Sequence, residues 1–248
     1  MSVALSSARV VGSGSPTQLS RKFSVGIALA MLTVNLVGFG PTLYLRPFFD
    51  VPPIPFYLYL HGAIGTAWFV LLVGQALLIA TRNFRQHRQL GWVGVALAAS
   101  VVLLGMYTST HMVPRNVALG ADSEAELSLF ALVTAADLAS FVLIPTLVGL
   151  AVVFRRRMDV HMRLLLIATL VMLGPAEARI ASWFGDIPNP VLTVIQLAFV
   201  ASLFAHDIVV RRRPHIATVL GILFMMAVNA AFQLSGIGTE LVLQRLGD

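Results

Sequence analysis

The chain of 248 residues contains no cysteine. Disulfide bonds, iron–sulfur clusters, thiolate zinc sites and cysteine nucleophiles are therefore excluded. Any bound metal or haem would have to use histidine, carboxylate or methionine ligands. Lysine is almost absent as well, since Lys22 is the single lysine and lies outside the apolar segments. A retinal Schiff base is therefore excluded by residue type.

Charged residues are scarce. They make up 11% of the chain, against roughly 25% in a soluble domain. Hydrophobic residues make up 58%, and the mean hydropathy is +0.86. Most of the chain is therefore expected to lie in a lipid bilayer. The net charge of +6 does not indicate a nucleic-acid partner, because the basic residues lie in short loops between apolar segments rather than on one soluble face.

Seven apolar segments each reach or approach the ~20 residues that a spanning helix needs. They cover residues 23–45, 55–81, 91–113, 127–154, 161–183, 190–210 and 215–243. The sequence therefore predicts an all-α fold, an integral membrane bundle of seven transmembrane helices. We expect one transmembrane domain over residues 23–248, preceded by a flexible cytoplasmic segment over residues 1–22.

Basic residues fall mainly on one side of the predicted bundle. Arginine clusters follow the second, fourth and sixth segments, and with the N-terminal region they place 13 of the 17 basic residues on that side. Under the positive-inside rule that side is cytoplasmic, so we expect a cytoplasmic N-terminus and an extracytoplasmic C-terminus. The short loops and the arginine bias are typical of a protein of the bacterial inner membrane.

Ionisable side chains interrupt the second and third segments. Such residues are costly in lipid and usually functional. His61, Trp68 and Gln75 recur at seven-residue steps, which predicts that they share one face of the second helix, turned toward the bundle. Tyr107 and His111 follow a similar face of the third helix. His61 and His111 are therefore expected at comparable depth in the outer half.

Further polar residues are predicted in the same outer half. Asp137 in the fourth segment needs a cationic or hydrogen-bonding partner, and the fifth segment offers Glu177 and Arg179. Because Glu177 and Arg179 lie two residues apart, they point to different faces, and each is expected to pair with another helix. Asn229 and Gln233 share one side of the seventh helix. The alternative to a polar site here is a set of hydrogen bonds that only join helices.

Four histidines lie toward the cytoplasmic side. His87 and His161 are at the starts of the third and fifth helices, where the helix dipole disfavours a protonated imidazole and leaves it available as a ligand or a hydrogen-bond partner. His206 and His215 are expected to be interfacial anchors beside lipid headgroups.

Three short sequences carry a family resemblance. They are His61-Gly62 with Trp68, His87-Arg88-Gln89-Leu90-Gly91-Trp92, and His161-Met162-Arg163-Leu164. Over residues 55–215 the chain resembles a family of small bacterial multi-pass membrane proteins of uncharacterised function. It is more distantly similar to the di-haem b-type transmembrane cytochromes, whose histidines lie near both membrane faces. That similarity implies an outer ligand pair, His61 and His111, and an inner pair, His87 and His161.

The first functional hypothesis is a b-type haem protein that passes electrons from a quinone or another reductant. Two imidazoles at matched depth can ligate a low-spin iron. The second hypothesis is a small-solute or proton-linked transporter, or a ligand-binding membrane protein. Its cavity would be lined by Trp68, Gln75, Tyr107, Asp137, Glu177, Arg179, Asn229 and Gln233.

A third hypothesis is a zinc-dependent intramembrane hydrolase. His61 and His111, joined by Asp137 or Glu177, would hold Zn²⁺ with a water in the open position. A bundle with a purely structural or assembly role is the fourth alternative.

Overall fold

The structure is a computed structural model that describes residues 16–186 and 188–247 of the chain. In these residues the regular secondary structure is entirely helical. Eight α-helices follow one another: α1 Pro16–Phe39, α2 Phe56–Ala80, α3 Phe84–Ala118, α4 Glu124–Val153, α5 Met158–Ala181, α6 Pro190–Arg211, α7 Ile216–Leu234 and α8 Ile237–Gly247.

Local sequence signals explain where several helices begin. Ser123 caps α4 through a reciprocal pair of hydrogen bonds with Glu126, the capping box. The Asn83 side chain accepts from the Gln86 backbone N–H at the start of α3. Asn189 caps α6 in the same way, and Pro190 takes the first helical position, where the missing N–H is not needed.

The helices α1 to α7 are long and apolar enough to span a bilayer, which confirms the predicted number of spans. Consecutive helices pack side by side through short connections, so the loops alternate between two ends of the bundle. Residues 82–88, 155–157 and 211–213 all lie at one end, which we call the basic face. The end formed by the 45–55, 119–123 and 182–189 connections is called the opposite face.

Helix α5 lies at the centre of the bundle. In its most apolar stretch 56% of the residues are buried, against 33% or less in every other spanning helix. It packs against α1, α4, α6 and α7. Its side chains Ile167, Leu170 and Leu173 are fully buried in the main hydrophobic core. Polar groups on α5 therefore have to be satisfied by its neighbours rather than by water.

The last predicted span, 215–243, is wrong as a single helix. The chain leaves α7 at Leu234, turns at Gly236 with a φ of +74°, and begins α8 at Ile237. Positive φ is easy for glycine and costly for other residues, which explains the break. Helix α8 then packs across α4 and α3, and its Gly238 touches the Ala131 carbonyl.

The N-terminal boundary also differs from the prediction. Helix α1 begins at Pro16, so residues 16–22 of the segment expected to be flexible are helical. Residues 1–15 of that segment lie outside the described part of the chain.

The end of α1 passes from an α-helix into a π-helix. A short π-helix, Gly40–Tyr44, continues directly from α1 and contains Pro41, which cannot donate a backbone hydrogen bond. The Tyr44 hydroxyl is hydrogen-bonded to Asn35 of α1 and to Thr66 of α2. This segment thus ties α1 to α2 in the half of the bundle near the opposite face.

We expect Gly38→Ala to destabilise the protein. A Cβ at Gly38 would collide with the Ala176 carbonyl, because α1 and α5 are in close contact there. Overpacking of this kind costs about 1–3 kcal/mol. The measurement is thermal unfolding in detergent. Gly26→Ala, also in α1, is the control, because a Cβ there has open space. Equal stability of the two variants would contradict the close α1–α5 contact.

Candidate functional site

The basic-face histidine pair consists of His87 and His161, in the first turns of α3 and α5. Their ring centroids are 6.3 Å apart, and the ring planes are nearly perpendicular at 85°. The sequence predicted each histidine at the start of a helix. The structure shows that the first turns of α3 and α5 lie next to each other. Of the two histidine pairs that the cytochrome resemblance implies, this is the one whose rings lie in contact.

Hydrogen bonds at Nδ1 orient both rings of the pair. His161 Nδ1 is 2.8 Å from the backbone oxygen of Ala151, near the end of α4. Since a carbonyl only accepts, Nδ1 donates and Nε2 keeps a free lone pair. His87 Nδ1 faces the side-chain amide of Gln75 on α2. With its nitrogen toward His87, this amide also accepts from the Gly91 N–H at 3.1 Å.

His61 lies on α2 in the other half of the bundle, beside Gly105 of α3. A Cβ at Gly105 would stand 3.6 Å from His61 Cε1, so the glycine leaves room for the ring. His61 Nδ1 is buried, and it has no hydrogen-bond partner in the described part of the chain. Buried polar atoms without partners are rare and indicate an unmet interaction.

Glu177 and Arg179 pair with other helices, as the sequence predicted. The Glu177 side chain is buried with 1% exposure, and the Gln196 amide of α6 donates to its carboxylate. The Arg179 guanidinium lies over the Phe39 ring of α1 at 4.3 Å from its centroid. It also donates to the Pro175 carbonyl of its own helix at 2.8 Å.

His61 and His111, which were expected at comparable depth, lie about one helical turn apart. His61 is beside Gly105, whereas the His111 ring packs against Tyr57, four residues before His61 on α2. Four residues are about one helical turn, or roughly 6 Å along the axis. His111 is exposed, stacks on Tyr107 with centroids 4.2 Å apart, and is hydrogen-bonded through Nδ1 to the Tyr107 carbonyl.

Asp137 has other neighbours than the sequence predicted. It lies near the buried Ser109 of α3 and in the surroundings of Arg245 on α8. Arg245 donates to the Ser109 carbonyl at 2.9 Å, and in the described residues it makes no ion pair with Asp137 within 4 Å. The expected partners on the fifth helix, Glu177 and Arg179, are engaged elsewhere. Helix α8 thus brings a cation toward Asp137 without pairing with it.

Asn229 and Gln233 each bond to backbone carbonyls. Asn229 donates to Met225 of its own helix at 2.9 Å, and Gln233 donates to Leu132 of α4 at 3.1 Å. Of these two groups predicted for the outer cavity, Gln233 therefore joins α7 to α4, whereas the Asn229 bond stays within α7.

The predicted polar face of α2, formed by His61, Trp68 and Gln75, is turned toward the bundle. Its three residues lie at three different depths. Trp68 is buried with 4% exposure, and its indole N–H donates to Thr169 of α5 at 3.1 Å. His61 lies toward the opposite face, and Gln75 lies toward the basic face at the histidine pair. The stripe thus carries polar groups along the full length of α2.

The residues proposed for zinc have separate surroundings. His111 packs on tyrosines, Asp137 faces Ser109 and Arg245, and Glu177 faces Gln196. In residues 16–186 and 188–247, no group of three or more His, Asp or Glu side chains could hold a metal ion. The zinc hydrolase stays a prediction.

The sequence did not predict a buried ion-pair network at the basic face. Arg163 of α5 pairs with Asp207 of α6, and both side chains are almost fully buried at 3% and 1% exposure. Asp207 also accepts from the His215 backbone N–H at 3.0 Å and from the Thr218 hydroxyl at 2.6 Å. These bonds join α5, α6 and α7.

His206 and His215 belong to this network rather than to the lipid interface. Their exposures are 6% and 7%. His206 stacks on Phe23 of α1, and His215 Nε2 is 2.9 Å from the Asp159 carboxylate. The sequence did hold a sign of these ion pairs, because Asp159 and Asp207 are acidic residues among the arginines of the basic side.

Comparison of the chain with protein-family models, with curated proteins and with solved structures gives no match.

Asp207→Asn is expected to destabilise the protein by about 3–5 kcal/mol, because it leaves the Arg163 guanidinium buried without a counter-charge. The measurement is unfolding in detergent followed by circular dichroism. Arg211→Gln is the control, since its ion pair with Asp159 is 37% and 45% exposed and is expected to contribute about 1 kcal/mol or less. A loss for Asp207→Asn no larger than that of the control would contradict a structural role for the buried pair.

Proposed function

We propose that this chain is an electron-transfer protein of the bacterial inner membrane that binds a b-type haem between His87 and His161. The observation that carries the proposal is the contact between these two rings, 6.3 Å apart between centroids. His87 and His161 would hold the haem iron with their two imidazoles. Under the positive-inside rule the basic face, and the haem with it, would lie toward the cytoplasm.

The hydrogen bonding of His161 fits that of a haem ligand. His161 donates from Nδ1 to a backbone carbonyl and keeps Nε2 free, which is the hydrogen-bonding pattern of metal-ligating histidines. At His87 the Gln75 amide donates to Nδ1, which places the proton of the neutral ring on Nε2. For His87 to ligate through Nε2, this amide would have to present its oxygen to Nδ1 and give up the bond that it accepts from the Gly91 N–H. Gln75 is therefore a positioning residue in this proposal.

Bound haem would supply one-electron chemistry, and its potential would depend on the burial and hydrogen bonds of its ligands. The chain itself orients both imidazoles through hydrogen bonds at Nδ1. Next to His87, the side chains of Leu90 and Trp92 are exposed at 39% and 65% on a helix that spans the bilayer. A lipid-soluble quinone could approach the pair from this side, so we propose a quinone as the electron partner.

The test is an optical spectrum of the purified protein after expression with added haem, first oxidised by air and then reduced with dithionite. We expect a Soret band that shifts on reduction. His87→Ala and His161→Ala are each expected to abolish or broaden it, because one axial ligand is lost. His111→Ala is the matched control, since His111 is exposed at the other end of α3.

A featureless spectrum in well-folded protein would contradict the proposal. A Soret band that is lost in His111→Ala but unchanged in His87→Ala would also contradict it.

A second candidate, a proton-linked transporter, is favoured by the unpartnered groups in the other half of the bundle. His61 Nδ1 and Thr42 Oγ1 are buried without partners in the described part of the chain. Their chain neighbours Gly62 and Leu43 pack together, so the two atoms belong to one region. Thr42 lies in the π-helix, and such irregular turns are frequent at functional sites.

Proton flux into proteoliposomes that enclose a pH-sensitive dye tests the second candidate. If it is correct, His61→Ala lowers the flux by about tenfold or more, because His61 is the group that exchanges protons, whereas His111→Ala leaves it unchanged. Flux equal to that of empty liposomes would exclude this candidate. In the haem proposal, His61→Ala leaves the spectrum of the inner pair intact, so the same variant separates the two candidates.

A further inference from the structure

A groove opens between α1 and α2 at the basic face, away from the histidine pair. Its volume is about 980 Å³. Its mouth carries the basic side chains Arg21, Lys22 and Arg82, and none of the described residues that line it is acidic. Below them the wall is apolar and includes Val25 and Leu77.

The basic side chains at the mouth have no ion pair in the residues that the structure describes. Elsewhere on the basic face, Arg163 and Arg211 are paired with aspartates. The three charges of the groove thus remain available for an anion. A phosphate at this level would be attracted by all of them.

The backbone holds Arg82 at the mouth. Arg82 has a φ of +62°, directly after the end of α2, a position that usually takes glycine. Its N–H donates to the Ile79 carbonyl at 3.2 Å, and the next N–H, of Asn83, donates to Leu78 at 2.8 Å. These bonds fix the direction in which α2 ends, and with it the place from which the guanidinium extends.

The lower part of the groove has open space beside Gly26. A Cβ on Gly26 would meet nothing within 4 Å. Leu77 faces the same space from α2 and is 46% exposed. An apolar slot directly below a cationic mouth matches the order of groups in a phospholipid, with an acyl chain below a phosphate.

We infer that this groove binds an anionic phospholipid, with the phosphate at Arg21, Lys22 and Arg82 and an acyl chain along Gly26 and Leu77. Each basic residue near a membrane surface strengthens the binding of an acidic lipid by about fivefold. The apolar wall distinguishes a lipid from a soluble phosphate, since only the lipid gains from contact with it.

The test is native mass spectrometry of the full-length protein in detergent, with equal amounts of phosphatidylglycerol and phosphatidylcholine of the same acyl chains. We expect the wild-type protein to retain phosphatidylglycerol preferentially. Arg82→Gly is expected to lower that preference by about fivefold, because it removes the charge and keeps the backbone conformation. Gly26→Leu is expected to reduce retention of the lipid itself.

Arg212→Gly is the matched control. Arg212 has a φ of +61° at the end of α6, on the same face, and does not line the groove. The control therefore removes an equal charge and relieves an equal strain, and we expect it to leave the lipid preference unchanged. Lys22→Gln, an exposed position within α1, gives a second variant in case Arg82→Gly does not fold.

Three results would overturn the inference. Equal retention of the two lipids by the wild-type protein would remove the headgroup preference. Equal losses in Arg82→Gly and Arg212→Gly would show a diffuse attraction of the whole basic face. Displacement of the lipid by inorganic phosphate, with Gly26→Leu behaving as wild type, would show a soluble phosphate site instead.

Discussion

The polar groups on the central helix α5 constrain the rest of the bundle, because no water is available to satisfy them in a bilayer. Thr169 accepts from Trp68 of α2, Glu177 accepts from Gln196 of α6, and Arg163 pairs with Asp207 of α6. Each of these contacts fixes the rotation and depth of α5 against a neighbour. Leaving one partner of a buried charge pair alone costs several kcal/mol, so alternative registers are strongly disfavoured.

The position of the histidine pair depends on these contacts. His161 lies in the first turn of α5, two residues before Arg163, and the Arg163–Asp207 pair holds that turn against α6. Gln75 lies one stripe position after Trp68 on α2, which Thr169 anchors to the same helix. The two rings therefore meet because α2, α3 and α5 are fixed by polar contacts elsewhere along their length.

The two ends of the bundle differ in how completely their polar groups are paired. At the basic face, Asp207 accepts bonds from Arg163, His215 and Thr218. Near the opposite face, His61 Nδ1 and Thr42 Oγ1 are buried without partners in the described residues. The buried polar groups of the Asp207 network are thus paired, whereas the unmet buried groups near the opposite face favour binding or proton exchange.

Composition and hydropathy were sufficient to predict the seven spans and the inward-facing stripe of α2, because both depend on local periodicity. Relative depth was not predictable, since it depends on the register between neighbouring helices. His61 and His111 thus lie one turn apart. The surroundings of Asp137 were not predicted because α8 folds back after Gly236, which brings Arg245 to α3. The buried roles of His206 and His215 follow from tertiary contacts with Phe23 and Asp159.

Electron paramagnetic resonance of the air-oxidised, haem-supplied protein tests the central claim most directly, because the spin state of ferric iron depends on its axial ligands. Coordination by both His87 and His161 predicts a low-spin ferric signal that His161→Ala converts to a high-spin one. A high-spin signal in the wild-type protein, or the absence of any haem signal from folded protein, would contradict the account.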